Sequence, residues 1–388
     1  MTPADAWLST ADCRLEDLLD IVSAGTSIAD YPYASAVESG VVVYRMADLR
    51  QPLRAERRAV QAEVVAALSD GPGIAVFQGA YEDTTVVDAV TRVFEEIIAE
   101  EHAAGGAAGD HFGRPGANDR IWNALQKLAV RAPDLFVSYY ANDVVAAVSE
   151  AWLGPAYQIT SQVNVVNPGG QAQKVHRDYH LGFQSNDVGE RFPAHAHRLS
   201  AVLTLQGAVA HCDMPVESGP TLYLPHSQKY EHGYLAWRLP QFREHFENSH
   251  VQLPLAKGDV VFFNPALFHA AGTNQTADVR RMANLLQVSS AFGRAMESVD
   301  RELIVTAIYD DLRKAHVAEG RDRREIDNVI AASAEGYAFP TNLDRDQPIG
   351  GLAPPTQADL VTKALLEDWP HEALVQRIRE RSWRSLPD

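Results

Sequence analysis

Residues 257–272 read Lys-Gly-Asp-Val-Val-Phe-Phe-Asn-Pro-Ala-Leu-Phe-His-Ala-Ala-Gly. Gly258 and Asp259 are turn formers. Val260, Val261, Phe262 and Phe263 form an unbroken apolar run, the pattern of a strand buried on both faces. His269 follows, flanked by Ala270, Ala271 and Gly272, whose small side chains leave room for a ligand. The stretch therefore predicts a strand that delivers an imidazole into a confined cavity. Similar β-prone segments occupy 157–166, 198–205, 221–224 and 283–289, separated by turn residues. Many short strands punctuated by Gly and Pro, with no helix between them, predict an antiparallel sandwich or barrel.

Composition excludes several classes. The chain has 388 residues, enough for a large elaborated domain or two to three smaller units. Its 34 basic and 51 acidic side chains give a net charge of −17, which repels nucleic-acid phosphates and anionic membrane surfaces. With 46% hydrophobic and 22% charged residues, a sizeable core is available. Cys13 and Cys212 are too few for a disulfide framework, no secretory signal is visible, and no apolar run is long enough to cross a bilayer. The expectation is a cytoplasmic protein acting on a small molecule, with no nucleic-acid or membrane partner. The composition is also compatible with a homo-oligomer.

Outside the β-rich segment the helical period dominates. Helices are predicted over 56–69, from a cap at Asp83 through Ile97, over 121–130, and over 133–152. After Met296 the period returns with Leu303, Ile304, Ala307 and Ile308, and again near 357–369 and 372–383. The expected division is an irregular amino-terminal extension over 1–70, a β-rich domain over 71–295, and a carboxyl-terminal helical appendage over 296–388 packed on the core.

Ten of the 14 histidines fall between His176 and His269, which points to a metal site. In His176-Arg177-Asp178 the two-residue period of a strand places the imidazole and carboxylate on one face and Arg177 on the other. Two histidines and one carboxylate leave three positions of an octahedral iron open. Eleven residues beyond His269, Arg280 enters an apolar strand. A guanidinium turned inward there needs an anionic partner, and a dicarboxylate would supply it.

Together these signals resemble the phytanoyl-CoA dioxygenase family of non-haem iron(II), 2-oxoglutarate-dependent oxygenases. That family's pattern is His-x-Asp, a long spacer, a distal histidine and an arginine eleven residues later. The segment Glu217-Ser218-Gly219-Pro220-Thr221-Leu222-Tyr223-Leu224-Pro225-His226-Ser227 is similar to the family's Gly-Pro to Pro-Gly-Ser-His stretch, although the glycine after Pro225 is missing. The resemblance covers about residues 70–295. It implies a double-stranded β-helix (a cupin-like jelly roll) with a mainly β core flanked by N-terminal and C-terminal helices. It further implies Fe(II) on His176, Asp178 and His269, with Arg280 clamping the distal carboxylate of 2-oxoglutarate. His226 falls on a histidine that is usually structural. The implied activity is that of a dioxygenase using O2 to hydroxylate a C–H bond of a small metabolite or natural-product intermediate, with release of succinate and CO2. Retention of Asp178 fits oxidation rather than halogenation. Ala271 stands where many members place a serine beside the cosubstrate, and Gln162 and Asn164 are candidate replacements.

Tyr179 and His180, directly after the iron motif, and Asn118, Arg120 and Trp122, in a stretch beginning near His111, are candidate substrate contacts. A competing reading is a cupin-type metal enzyme that does not use 2-oxoglutarate, with its metal on His195, His197 and His211.

Overall fold

Along the chain the strands are β1 (Ala36–Glu38), β2 (Val41–Arg45), β3 (Ile74–Gln78), β4 (Asn118–Ile121) and β5 (Gln158–Val166). They continue with β6 (Thr204–Ala210), β7 (Leu222–Leu224), β8 (Val260–Phe263), β9 (Phe268–Ala270) and β10 (Arg281–Ser289). In this computed structural model, which describes residues 6–105 and 117–387, two sheets form. The larger runs β1-β2-β3-β8-β6-β10-β5-β4, and the smaller pairs β7 with β9. All pairings are antiparallel except β2 with β3. Bridges from His176 to His269 and from Tyr223 to Val251 widen the smaller sheet on both sides. The two layers make the expected jelly-roll core.

Alternation within each strand gives the large sheet two different faces. Val42, Phe77, Phe262, Val209, Leu286 and Val163 point to one side, where they join an extensive apolar core with helices. Val43, Val76, Val261, Phe263 and Ala208 point to the other and pack against Tyr223 and Leu267 of the smaller layer. Each large apolar side chain fully buried here contributes on the order of 1.5–3 kcal/mol. Both faces of β8 are covered, which explains its uninterrupted apolar run.

Helices cover the outer face of the large sheet. In chain order the helices are α1 (Leu15–Val22), α2 (Met46–Ala55), α3 (Arg57–Ser69), α4 (Thr85–Ala103), α5 (Ala124–Arg131), α6 (Pro133–Tyr140) and α7 (Asp143–Leu153). Four short ones follow: α8 (Asn186–Gly189), α9 (Ala194–Val202), α10 (Gly233–Ala236) and α11 (Pro240–Ser249). The carboxyl-terminal set is α12 (Arg301–Val317), α13 (Arg323–Ser333), α14 (Gln357–Leu366) and α15 (His371–Ser385). Leu49, Val64, Phe94 and Phe136 share one core with Ile304, Ile308, Val329 and Leu374, so the carboxyl-terminal helices bury their apolar faces against α5, α6 and α7. On the opposite side Leu18 of α1 and Phe242 and Phe246 of α11 cover the smaller sheet through Leu224, Phe268 and Ala270.

Three local readings change. The segment 198–205, expected as a strand, begins inside α9, which starts after Pro193; the strand itself is β6. Leu199 and Val202 lie exposed on that helix, so the apolar residues there do not mark a buried strand. The helix expected over 133–152 is two, because the Asn142 side chain accepts from the Val144 and Val145 amides and starts α7 anew. The extension read as irregular supplies β1 and β2, and Val41 and Val43 line the space between the sheets.

Candidate metal and cosubstrate site

His176, Asp178 and His269 converge between the two sheets, with one ligand atom from each lying within 4.8 Å of the others. Among the described residues they form the only such group. His269 is carried by β9, and His176 is bridged to it backbone to backbone. Asp178 comes around the following turn, where its own amide donates to the Pro265 carbonyl at 3.1 Å. Nε2 of His176 lies 3.7 Å from Asp178 Oδ1, and Nε2 of His269 lies 3.4 Å from Oδ2.

The other ring nitrogens set the chemistry. His176 Nδ1 is 2.8 Å from the Lys174 carbonyl and His269 Nδ1 is 2.9 Å from the Leu267 carbonyl. A carbonyl only accepts, so each Nδ1 carries the proton and each Nε2 presents its lone pair toward the carboxylate. That is the tautomer a metal ligand needs. Gln206 on β6 donates to Asp178 Oδ2 at 2.5 Å. Burial alone would raise the Asp178 carboxyl; the bond from Gln206, together with the positive charge of His176 and His269 when no ion is bound and their Nε2 atoms take up protons, outweighs it and holds the group below its ordinary value.

Arg177, between the first two ligands, points away as strand parity predicts and is fully buried. Its guanidinium donates to the Ser227 and Tyr230 carbonyls at 2.6 and 3.0 Å and lies 5.1 Å from the ring centres of both Tyr234 and Phe268. Gly233 is packed so closely that a Cβ there would fall 1.9 Å from its Cζ. The residue beside His269 is therefore clamped to the turn that carries the other two ligands.

Arg280 does not turn inward. It is exposed, 3.4 Å from Glu95 and 3.8 Å from Asp119. Arg281 is the buried one, 6% exposed, with its Nη1 3.5 Å from the Gly272 carbonyl. The reason is register. Arg281 is paired with Val166 and lies on the same face of β10 as Ala283, Leu285 and Gln287, the face toward the smaller sheet. Burial lowers its pKa to about 10, so it stays a cation at neutral pH, and among the described residues no carboxylate pairs with it. An inward cation lacking an anion is a seat for one.

Gln162 and Asn164 lie on this same inward face of β5, opposite Leu285 and Ala283. Gln162 Nε2 and Asn164 Oδ1 are buried and unpartnered among the described residues. Arg120, opposite Asn164 on β4, donates to Gln162 Oε1 at 2.6 Å and lies over the Trp122 ring. Asn118 pairs with Val166 farther along β4. The His111 end of that stretch lies outside the described residues. Tyr179 is buried with its hydroxyl donating to Gln287, and His180 meets Ser200 at 3.2 Å.

The alternative histidine set does not converge. His195 is exposed, His197 is buried against the Gly189 carbonyl, and His211 lies at the end of β6 between Thr91 and Tyr139. His226 adopts φ 69°, the conformation glycine supplies most easily, and contacts Thr26 and Lys229 away from the three ligands. Gln206, Gln287 and Arg281 went unread as site residues. Only the strand pairing places them on the inward face.

The family described as phytanoyl-CoA dioxygenase has a model that matches residues 56–282. No curated protein matches the sequence. Among solved structures, the chain is similar to the non-heme alpha ketoglutarate dependent epimerase SnoN from nogalamycin biosynthesis, at 19% identity and TM-score 0.41, over 60% of this chain and 82% of that one. It is similar to the carbocyclase SnoK of the same biosynthesis at 21% identity and TM-score 0.44, over 58% and 83% of the two chains. HygX from Streptomyces hygroscopicus, solved with nickel, 2-oxoglutarate and hygromycin B bound, matches at 15% identity and TM-score 0.42, over 61% and 90%.

Proposed function

Because this chain belongs to the phytanoyl-CoA dioxygenase family, we propose that His176, Asp178 and His269 hold Fe(II), that Arg281 holds the distal carboxylate of 2-oxoglutarate, and that the enzyme hydroxylates a C–H bond of a small metabolite or natural-product intermediate. The observation that carries this reading is the donor set: two imidazole Nε2 lone pairs and a carboxylate within 4.8 Å, with both Nδ1 protons spent on carbonyls. Such a set suits iron(II) and leaves coordination positions free.

When bound, Fe(II) with 2-oxoglutarate and O2 supplies the oxidising power, and the cosubstrate leaves as succinate and CO2. The protein's own contribution is placement. Gln206 fixes the second oxygen of Asp178, and the Arg177 clamp holds both ligand-bearing segments in register. Arg281 binds and orients an anionic end, and the buried amides of Gln162 and Asn164 offer hydrogen bonds to a polar guest. Tyr179, His180, Arg120 and Trp122 are the side chains from which the substrate side of the pocket is built, with Asn118 at its edge. Phe263, whose ring centre is 4.8 Å from that of His269, excludes water from one flank.

We place the protein in the cytoplasm, since both cysteines are free. No helix among the described residues is long and apolar enough to cross a membrane. The division at 70 and 295 bounds most of the catalytic core, to which residues before 70 add β1 and β2, in a chain that acts as a monomer or a homo-oligomer. A metabolite screen for stimulated, Fe(II)-dependent succinate formation tests the reaction. A stimulating compound recovered with one added oxygen supports hydroxylation, whereas recovery of a desaturated or rearranged product assigns a different oxidation.

A further inference from the structure

Beyond the family-matched residues, the segment after β10 brings Glu297 against the edge of the large sheet. Its Oε1 accepts from the Asn123 amide at 2.7 Å, at the start of α5. Its Oε2 is buried and has no partner among the described residues. The nearby cations act on it only at a distance, since their hydrogen bonds go to other groups: Lys127 to Glu101 at 2.5 Å, and Arg120 to Gln162 Oε1, with its guanidinium over the Trp122 ring. Gln162 is 1% exposed, and its bond from Arg120 fixes which end of the amide is oxygen, so the unpartnered atom beside the carboxylate is a donor, Nε2. The charged acceptor and the amide donor thus lie side by side, close enough for Gln162 to favour the ionised carboxyl, yet neither atom completes a hydrogen bond of normal geometry.

The pair belongs to the substrate side of the pocket. Gln162 is opposite Leu285, two residues along β10 from Gln287, which takes the Tyr179 hydroxyl. Two residues of strand span roughly 7 Å, so the pair sits one side-chain step from the residue next to Asp178. Tyr179 also feels the charge of Glu297 together with that of Asp178.

We propose that Glu297 and Gln162 select a substrate carrying a protonated amine beside a hydroxyl or carbonyl oxygen. The ammonium donates to Glu297 Oε2 and the neighbouring oxygen accepts from Gln162 Nε2. A buried carboxylate oxygen with no ion pair among the described residues favours a cation over a neutral or anionic group, and the net charge of −17 draws cations toward the molecule. The assignment rests on the oxygenase reading for the location of the pocket and names the substrate class that reading leaves open.

The test uses the full chain and three probes with one apolar body: 2-amino-1-phenylethanol, its N-acetyl derivative, and 1-phenyl-1,2-ethanediol. Calorimetric titration is expected to rank the amine about tenfold or more above both neutral probes, the worth of one charge-assisted hydrogen bond. Glu297→Gln should erase that advantage, while Glu247→Gln, an exposed change of equal charge, should retain it. Paramagnetic broadening of the amine's protons by Co(II) should then place it beside the metal. Equal affinity for amine and diol in the wild-type protein, no binding of the amine, or an advantage that survives Glu297→Gln each overturns the assignment. If Glu297→Gln does not fold, the wild-type ranking and a Gln162→Leu variant, expected to weaken the amine and the diol alike, decide it. Failure of Co(II) to bind at all would instead count against the oxygenase reading.

Discussion

His176 and His269 face each other across an antiparallel bridge in which each backbone amide donates to the other's carbonyl, at 3.0 and 3.2 Å. This exchange puts their ring centres 4.4 Å apart and sends both Nε2 atoms to the same carboxylate. Two ligands that lie 93 positions apart in sequence are thereby set by main-chain hydrogen bonds, before any ion is present.

Removing a member of the triad should remove the metal. Asp178→Ala and His269→Ala are each expected to abolish stoichiometric Co(II) binding measured by calorimetry, while His195→Ala binds like wild type. Retention of one tight equivalent in His269→Ala would contradict the assignment.

The two adjacent arginines should separate cleanly. Losing a buried charge-assisted pair costs about 3 kcal/mol, so Arg281→Ala should weaken 2-oxoglutarate binding about a hundredfold. Arg280→Ala breaks only exposed contacts with Glu95 and Asp119 and should leave that affinity nearly unchanged. Equal effects would mean that the β10 register does not govern the clamp.

Gln206 acts through Asp178. Replacing it with Leu leaves the ligand set intact but frees one carboxylate oxygen, and metal affinity should fall about tenfold or more. Gln206→Glu, which places a second carboxylate against the first, should not restore it. Unchanged affinity in Gln206→Leu would show that the 2.5 Å contact has no role in metal binding.

Histidine 211 predicts a pH dependence of stability. Burial lowers its pKa from 6.5 to about 3, so the folded protein keeps it neutral, between the Thr91 hydroxyl at 2.8 Å and the Tyr139 hydroxyl at 2.9 Å. The unfolded chain takes up this proton first. Falling pH therefore costs stability between about 6.5 and 3, by up to ~1.4 kcal/mol per pH unit, and above 6.5 the group adds no slope. Denaturant titrations of wild type and His211→Gln should show the wild-type advantage shrinking from pH 7 to 4.5. A constant gap would contradict the linkage.

Much of the site was legible because its signals are local. The apolar run from Val260 to Phe263, the small residues after His269 and the parity of His176 and Asp178 need no knowledge of distant partners. Arg281 could not be told from Arg280 in this way. Which of two adjacent arginines faces inward depends on pairing with Val166, more than a hundred residues earlier. Gln206 and Gln287 carry no signal in a strand, since an amide is neutral toward either face. Glu297 lies in an irregular segment with no period to read. The run Val41 to Tyr44 was visible as apolar, but its parallel pairing with β3 was not, because pairing partners are a property of the assembled sheet.

The most direct test of the central claim is an anaerobic titration of the metal-free protein with Fe(II) in the presence of 2-oxoglutarate, followed by the visible charge-transfer absorption of the chelated pair. The triad and Arg281 predict a band that saturates at one equivalent of Fe(II) per chain, is lost in His176→Ala, and in Arg281→Ala appears only at far higher 2-oxoglutarate. No band in the wild-type protein, or an undiminished band in His176→Ala, would contradict the account.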